Sequence, residues 1–166
     1  MSANDLKDEL DTAIAMRESG QATEAKDLLL DLHRASPDDA RINLHCAWVH
    51  DRLGLEREAV PFYEAAIQLG LGGPDLKDAL LGLGSTYRTL GRYREALAIL
   101  DRAVTEFPDE RSLQVFRAMT LYNNGRGKEA CELLLRLLSA TTCDEGITGY
   151  RQAIETYAED LDRIWS

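Results

Sequence analysis

The sequence predicts an all-α solenoid of stacked helix pairs closed by one further helix, and three observations carry that prediction. The pattern Gly-x-x-x-Glu-Ala occurs four times, at Gly20–Ala25, Gly54–Ala59, Gly91–Ala96 and Gly125–Ala130. Its alanines lie 34, 37 and 34 residues apart, a spacing regular enough to define an internal repeat. Beyond the repeats, Ile147, Tyr150, Ile154, Tyr157, Leu161 and Ile164 follow one another at steps of three and four, with Trp165 adjoining. That spacing predicts an amphipathic helix over residues 146–165.

Each repeat has a physical reading. The Gly follows an apolar-periodic stretch and sits just past a helix C-terminus, where a left-handed backbone costs glycine least. The Glu falls in the first turn of the next helix, where negative charge suits the macrodipole. The Ala leaves room for two backbones to approach. One unit is therefore an antiparallel helix pair. The single longer step has a visible cause in Gly70-Leu71-Gly72-Gly73-Pro74-Asp75, which stops one helix and restarts another at Pro74 or Asp75.

Composition narrows the function. The chain has 166 residues, the length of one domain, with 45% hydrophobic and 29% charged residues. Its net charge of −10 argues against nucleic acid and anionic membranes as partners and favours basic or neutral surfaces. No apolar run has the length of a membrane span, and the opening MSANDLKDELD is too polar and acidic for a signal peptide. Three cysteines, Cys46, Cys131 and Cys143, without CxxC spacing point to a reducing, cytoplasmic setting. Of these, Cys131 beside Ala130 reads as a small core residue and Cys143 as a loop residue.

The repeat resembles the tetratricopeptide repeat (TPR). With the anchoring Ala at position 20, the copies are 6–39, 40–73, 77–110 and 111–144. In the third copy Leu83, Gly84, Tyr87, Ala96, Ala103 and Pro108 fit the family pattern. Departures are Asn43 and His50 in the second copy, and Gln114 and Arg117 in the fourth, where apolar residues are expected. The close-packed position 8 accounts for Gly84, but nothing in the repeat accounts for Gly82.

The resemblance implies a right-handed α-solenoid whose first helices line a concave groove. Carried over by position, Leu10, Ile14, Leu44, Trp48, Leu81, Val115 and Met119 form an apolar stripe there, with Tyr122 alongside. Arg17, Arg52 and Arg88 lie at its edges. Trp48 is the residue type most often found as a hot spot. The family's two-carboxylate clamp for chaperone tails needs Lys, Asn and Arg at set positions. Here those positions hold Leu10, Ile14, His45, Asp78 and Gly82, or one repeat later Leu44, Trp48, Gly82, Ser112 and Phe116. Neither register supplies a clamp residue.

No P-loop, GxGxxG, GxSxG or HExxH motif is present. His45, Cys46 and His50 cluster in sequence, but the two histidines are five apart and do not share a helix face as an i,i+4 metal pair would. No catalytic residue, metal or cofactor is expected. The expected function is a non-catalytic adaptor that binds an apolar or amphipathic peptide in its groove. The alternative is a self-assembling scaffold, a homodimer through the groove or through the face of Tyr150, Ile154, Tyr157, Leu161, Ile164 and Trp165. That terminal helix has three possible partners: the last repeat, as a cap, a second chain, or the protein's own groove.

Overall fold

A computed structural model describes residues 3–164. Their regular structure is helical throughout, as expected. The chain, read above as one domain, groups into two compact units, Met1–Arg92 and Tyr93–Ser166.

The first unit holds α1 (Ala3–Glu18), α2 (Ala22–Ala35), α3 (Ala40–Arg52), α4 (Glu56–Gln68) and α5 (Gly73–Thr89). Each packs on the next, and α3 also touches α1 and α5, so the first helices of successive repeats stand side by side. The glycine of the hexapeptide closes each pair. Gly20 and Gly54 have φ of 92° and 72°, and behind them Gln21 N donates to Met16 O and Leu55 N to His50 O, both at 2.9 Å. This is the Schellman closure, which satisfies carbonyls that a helix end leaves unpaired. The core is the small and branched set the repeat anticipates: Ala13, Ala25, Leu29, Leu32, Ile42, Cys46 and Val49, flanked by Met16, Leu28 and Phe62.

The departures from the repeat pattern become intelligible here. Asn43 Nδ2 donates to Pro37 O and Asp39 O, each at 2.8 Å. In the second unit, the equivalent Gln114 donates to Pro108 O at 2.9 Å. Both amides follow a repeat that ends in proline, and both tie that turn to the next helix. Asp39 caps the same helix, accepting from Arg41 N at 2.9 Å and Ile42 N at 3.0 Å. His50 is buried, its Nδ1 2.7 Å from Cys46 O and its ring against Phe62. Arg117 donates from Nε to Asp101 Oδ1 at 2.6 Å.

The second unit comprises α6 (Tyr93–Glu106), α7 (Arg111–Asn123), α8 (Gly127–Thr141), α9 (Glu145–Thr148) and α10 (Arg151–Tyr157). Ala118, Leu121 and Ala130 form a core flanked by Leu97 and Leu133. Cys131, expected in that core, is instead exposed, because it falls on the far side of α8 from the Ala130 face.

The single helix expected over 146–165 is replaced by two short ones. Gly146 and Gly149 weaken helix propagation. The end is taken over by side chains of α8. Glu132 Oε1 accepts from Leu161 N at 3.1 Å, Arg136 donates to Ala158 O at 2.5 Å, and Lys128 pairs with Asp160 and, at 3.0 Å, with Asp162. Asp160 Oδ1 also accepts from Asp162 N at 3.1 Å, which turns the chain where another helical turn was expected. The segment thus docks on α8 of the last repeat, largely through polar contacts. Tyr150, Tyr157, Leu161 and Ile164 stay exposed, Ile164 at 92%, while Ile154 is half-buried. Trp165 lies outside the described residues.

Candidate functional site

The first unit presents a mixed aromatic and cationic face along α1 and α3. Trp48, on α3, is half-buried and held from two sides. The Arg17 guanidinium, from α1, lies 4.9 Å from the indole centroid, and the His45 ring meets it edge-on at 5.0 Å. Arg17 Nη1 donates to His45 Nδ1 at 3.2 Å. A guanidinium only donates, so this places the imidazole proton on Nε2. Burial first, then the Arg17 and Arg41 charges, push the His45 pKa down to about 4, while Asp39 opposes them. The ring is neutral at pH 7. Burial also lowers the Arg17 pKa, and Arg52 adds to that.

One turn further along α3, Asp51 knots three helices. Tyr63 of α4 donates to Asp51 Oδ2 at 2.7 Å, and Thr86 of α5 donates to Oδ1 and Oδ2 at 3.1 and 2.9 Å. Burial raises the Asp51 pKa, and the two hydroxyl donors hold it back. Tyr63 is pushed well above its ordinary range by burial and by the adjacent carboxylate. This knot explains Gly82. A Cβ there would stand 2.4 Å from the Tyr63 hydroxyl and 2.6–2.7 Å from its ring. The repeat pattern missed Tyr63 and Thr86 as partners of Asp51, and the unexplained glycine was the signal that marked them.

Of the expected groove residues, Leu10 and Leu44 belong to the core, at 5% and 1% exposure. Position 5 of these repeats turns inward because α1 and α3 pack on each other as well as on their own partners. Ile14 is half-buried and packs on the same core. Trp48, Leu81 and Arg88 are partly exposed and Arg52 is exposed. In the second unit, Val115 and Tyr122 are exposed and Met119 half-buried, an i, i+4, i+7 strip along α7. Cys46 is packed: its Sγ lies 3.4 Å from Leu29 O, and burial pushes the thiol up to about 12, which leaves it no nucleophilic character.

Among the described residues no helix is long and apolar enough to cross a membrane, and no group of His, Cys, Asp and Glu could hold a metal ion.

A family model for the Tetratrico peptide repeat matches residues 40–161. Solved structures with a similar fold include YrrB, a TPR protein with an unusual peptide-binding site, at a TM-score of 0.72 and 19% identity over 93% of this chain and 77% of that one. MamA is similar at a TM-score of 0.71 and 13% identity, over 98% of this chain and 80% of that one. A kinesin light chain of Podosopora anserina with nearly identical TPR-like repeats matches at 0.68 and 20% identity, over 94% and 90%. No sequence among the curated proteins matches.

Proposed function

The chain belongs to the tetratricopeptide repeat family, whose members serve as protein–protein interaction scaffolds, and on that premise we propose that it is a non-catalytic adaptor receiving a peptide segment on the face of α1, α3 and α5. One observation carries the reading: Trp48 is left partly open on that face, with Arg17 and His45 fixing its ring, while the apolar core lies behind it. A fixed aromatic gives contact area without the entropy of ordering it on binding. Leu81, on α5, extends the apolar surface. The strip of Val115, Met119 and Tyr122 supports the same use of the second unit.

The test is the double substitution Trp48→Ala with Leu81→Ala. Partner capture is expected to be lost while helical circular dichroism is retained and the melting temperature falls only modestly. Global unfolding of the variant would place both side chains in the core and remove the docking face.

A second reading, homodimerisation, is favoured by the exposed Tyr150, Tyr157, Leu161 and Ile164. Patches of this kind usually mark contact surfaces. Light scattering should then give twice the chain mass for the parent and a single chain mass for Tyr150→Ser with Tyr157→Ser. A parent that stays monomeric over a hundredfold concentration range ends this reading.

A further inference from the structure

The net charge of −10 favours a basic or neutral partner, yet arginines from two helices gather on the docking face. On α3, Arg41, His45, Trp48 and Arg52 follow at i, i+4, i+7 and i+11 and so share one stripe, against which Arg17 packs from α1. Three of these five are arginines. The carboxylates nearby offset them only loosely. Asp51 is engaged by Tyr63 and Thr86. Asp75 is 3.9 Å from Arg41, and Glu18, 68% exposed, is 3.7 Å from Arg17. Arg17 is the telling residue. Its side chain is only 13% exposed, and its close contacts are an indole face, a neutral imidazole and that one solvent-facing glutamate.

A charge taken largely out of water is costly unless a counter-charge compensates it. Among the described residues Arg17 has no close carboxylate beyond Glu18, although acidic residues outnumber basic ones 29 to 19 in the chain. We infer that the face takes an acidic segment of a protein partner, one that brings a carboxylate to Arg17 and Arg52 and lays an apolar side chain against Trp48. The inference rests on the reading of α1 and α3 as the docking surface. It differs from the chaperone-tail clamp in every residue, since those positions hold Leu10, Ile14, His45, Asp78 and Gly82. Guanidinium is suited to the role because it pairs with carboxylate in a planar, two-pronged geometry while stacking on an aromatic ring.

The experiment uses the full chain and three fluorescein-labelled peptides of repeated Glu-Leu-Glu-Phe, Gln-Leu-Gln-Phe and Lys-Leu-Lys-Phe, read by fluorescence anisotropy. The Glu peptide is expected to bind at least about tenfold tighter than the Gln peptide, with the Lys peptide weakest. Its affinity should fall by about tenfold or more as salt rises from about 0.1 to about 1 M, because screening shortens the reach of each charge. Arg17→Gln should weaken the Glu peptide by roughly tenfold. Arg52→Gln, at an exposed position, should weaken it by about threefold. Equal or tighter binding of the Gln or Lys peptide overturns the acidic preference; if that binding is lost in Trp48→Ala with Leu81→Ala, the docking face itself stands. Binding of none of the three, or Glu-peptide binding unchanged in Arg52→Gln and in a folded Arg17→Gln, also overturns the inference.

Discussion

Gly82→Ala is expected to cost about 3 kcal/mol of stability, a large loss for one methyl group. Alanine is the better helix former, so in an exposed helix the change would stabilise by up to about 1 kcal/mol. Here the new Cβ would lie 2.4 Å from the Tyr63 hydroxyl. Tyr63 cannot retreat. It is 1% exposed, and its hydroxyl is held at 2.7 Å by Asp51, which Thr86 holds in turn. Relief requires moving α4 from α5 or breaking a buried hydrogen bond, and either costs more than the propensity gained. The cause is checked by a double-mutant cycle in urea unfolding. In a Tyr63→Leu background, Gly82→Ala should cost less than about 1 kcal/mol, because the residue it collides with is gone. A cost that stays the same in both backgrounds would trace the loss to some other neighbour.

Much of the architecture was legible because the repeat writes its turns and its crossings into the sequence. The four hexapeptide glycines have φ between 72° and 92°, and the same two bonds close the helix that ends before each of them. Ala25, Ala59, Ala96 and Ala130 are all buried. These features depend on neighbours close in the chain, so local pattern suffices. What was not legible depended on contacts distant in sequence. Leu10 and Leu44 have the spacing of a surface stripe, but α1 and α3 lean on each other and bury them. The terminal stripe has a sound helical period, yet Lys128, Glu132 and Arg136 on α8 seize residues 158–162 and stop the helix. Of the site, Trp48 and Arg17 could be placed by position in the repeat. The pairing of His45 with Arg17 could not, because Arg17 crosses to it from another helix.

That placement gives His45 the second large effect. With an ordinary pKa of 6.5 lowered to about 4 in the fold, the ring binds a proton more readily in the unfolded chain than in the native one. The sign follows: the contribution is complete above pH 6.5 and is lost as pH falls toward 4, where the native ring also takes up its proton. About 2.5 pH units at about 1.4 kcal/mol each makes this on the order of 3 kcal/mol. The charged groups facing the ring agree. Arg17 and Arg41 oppose protonation, Asp39 alone favours it, and burial outweighs them all. His45→Gln keeps an acceptor for Arg17 and cannot titrate. Urea unfolding at steps from pH 7 to pH 4 should show the parent losing about 3 kcal/mol more than this variant, because carboxylate titration is common to both. Parallel curves would mean that the native ring protonates at its ordinary pH. Protonation would also set a second positive charge 3.2 Å from Arg17, beneath Trp48.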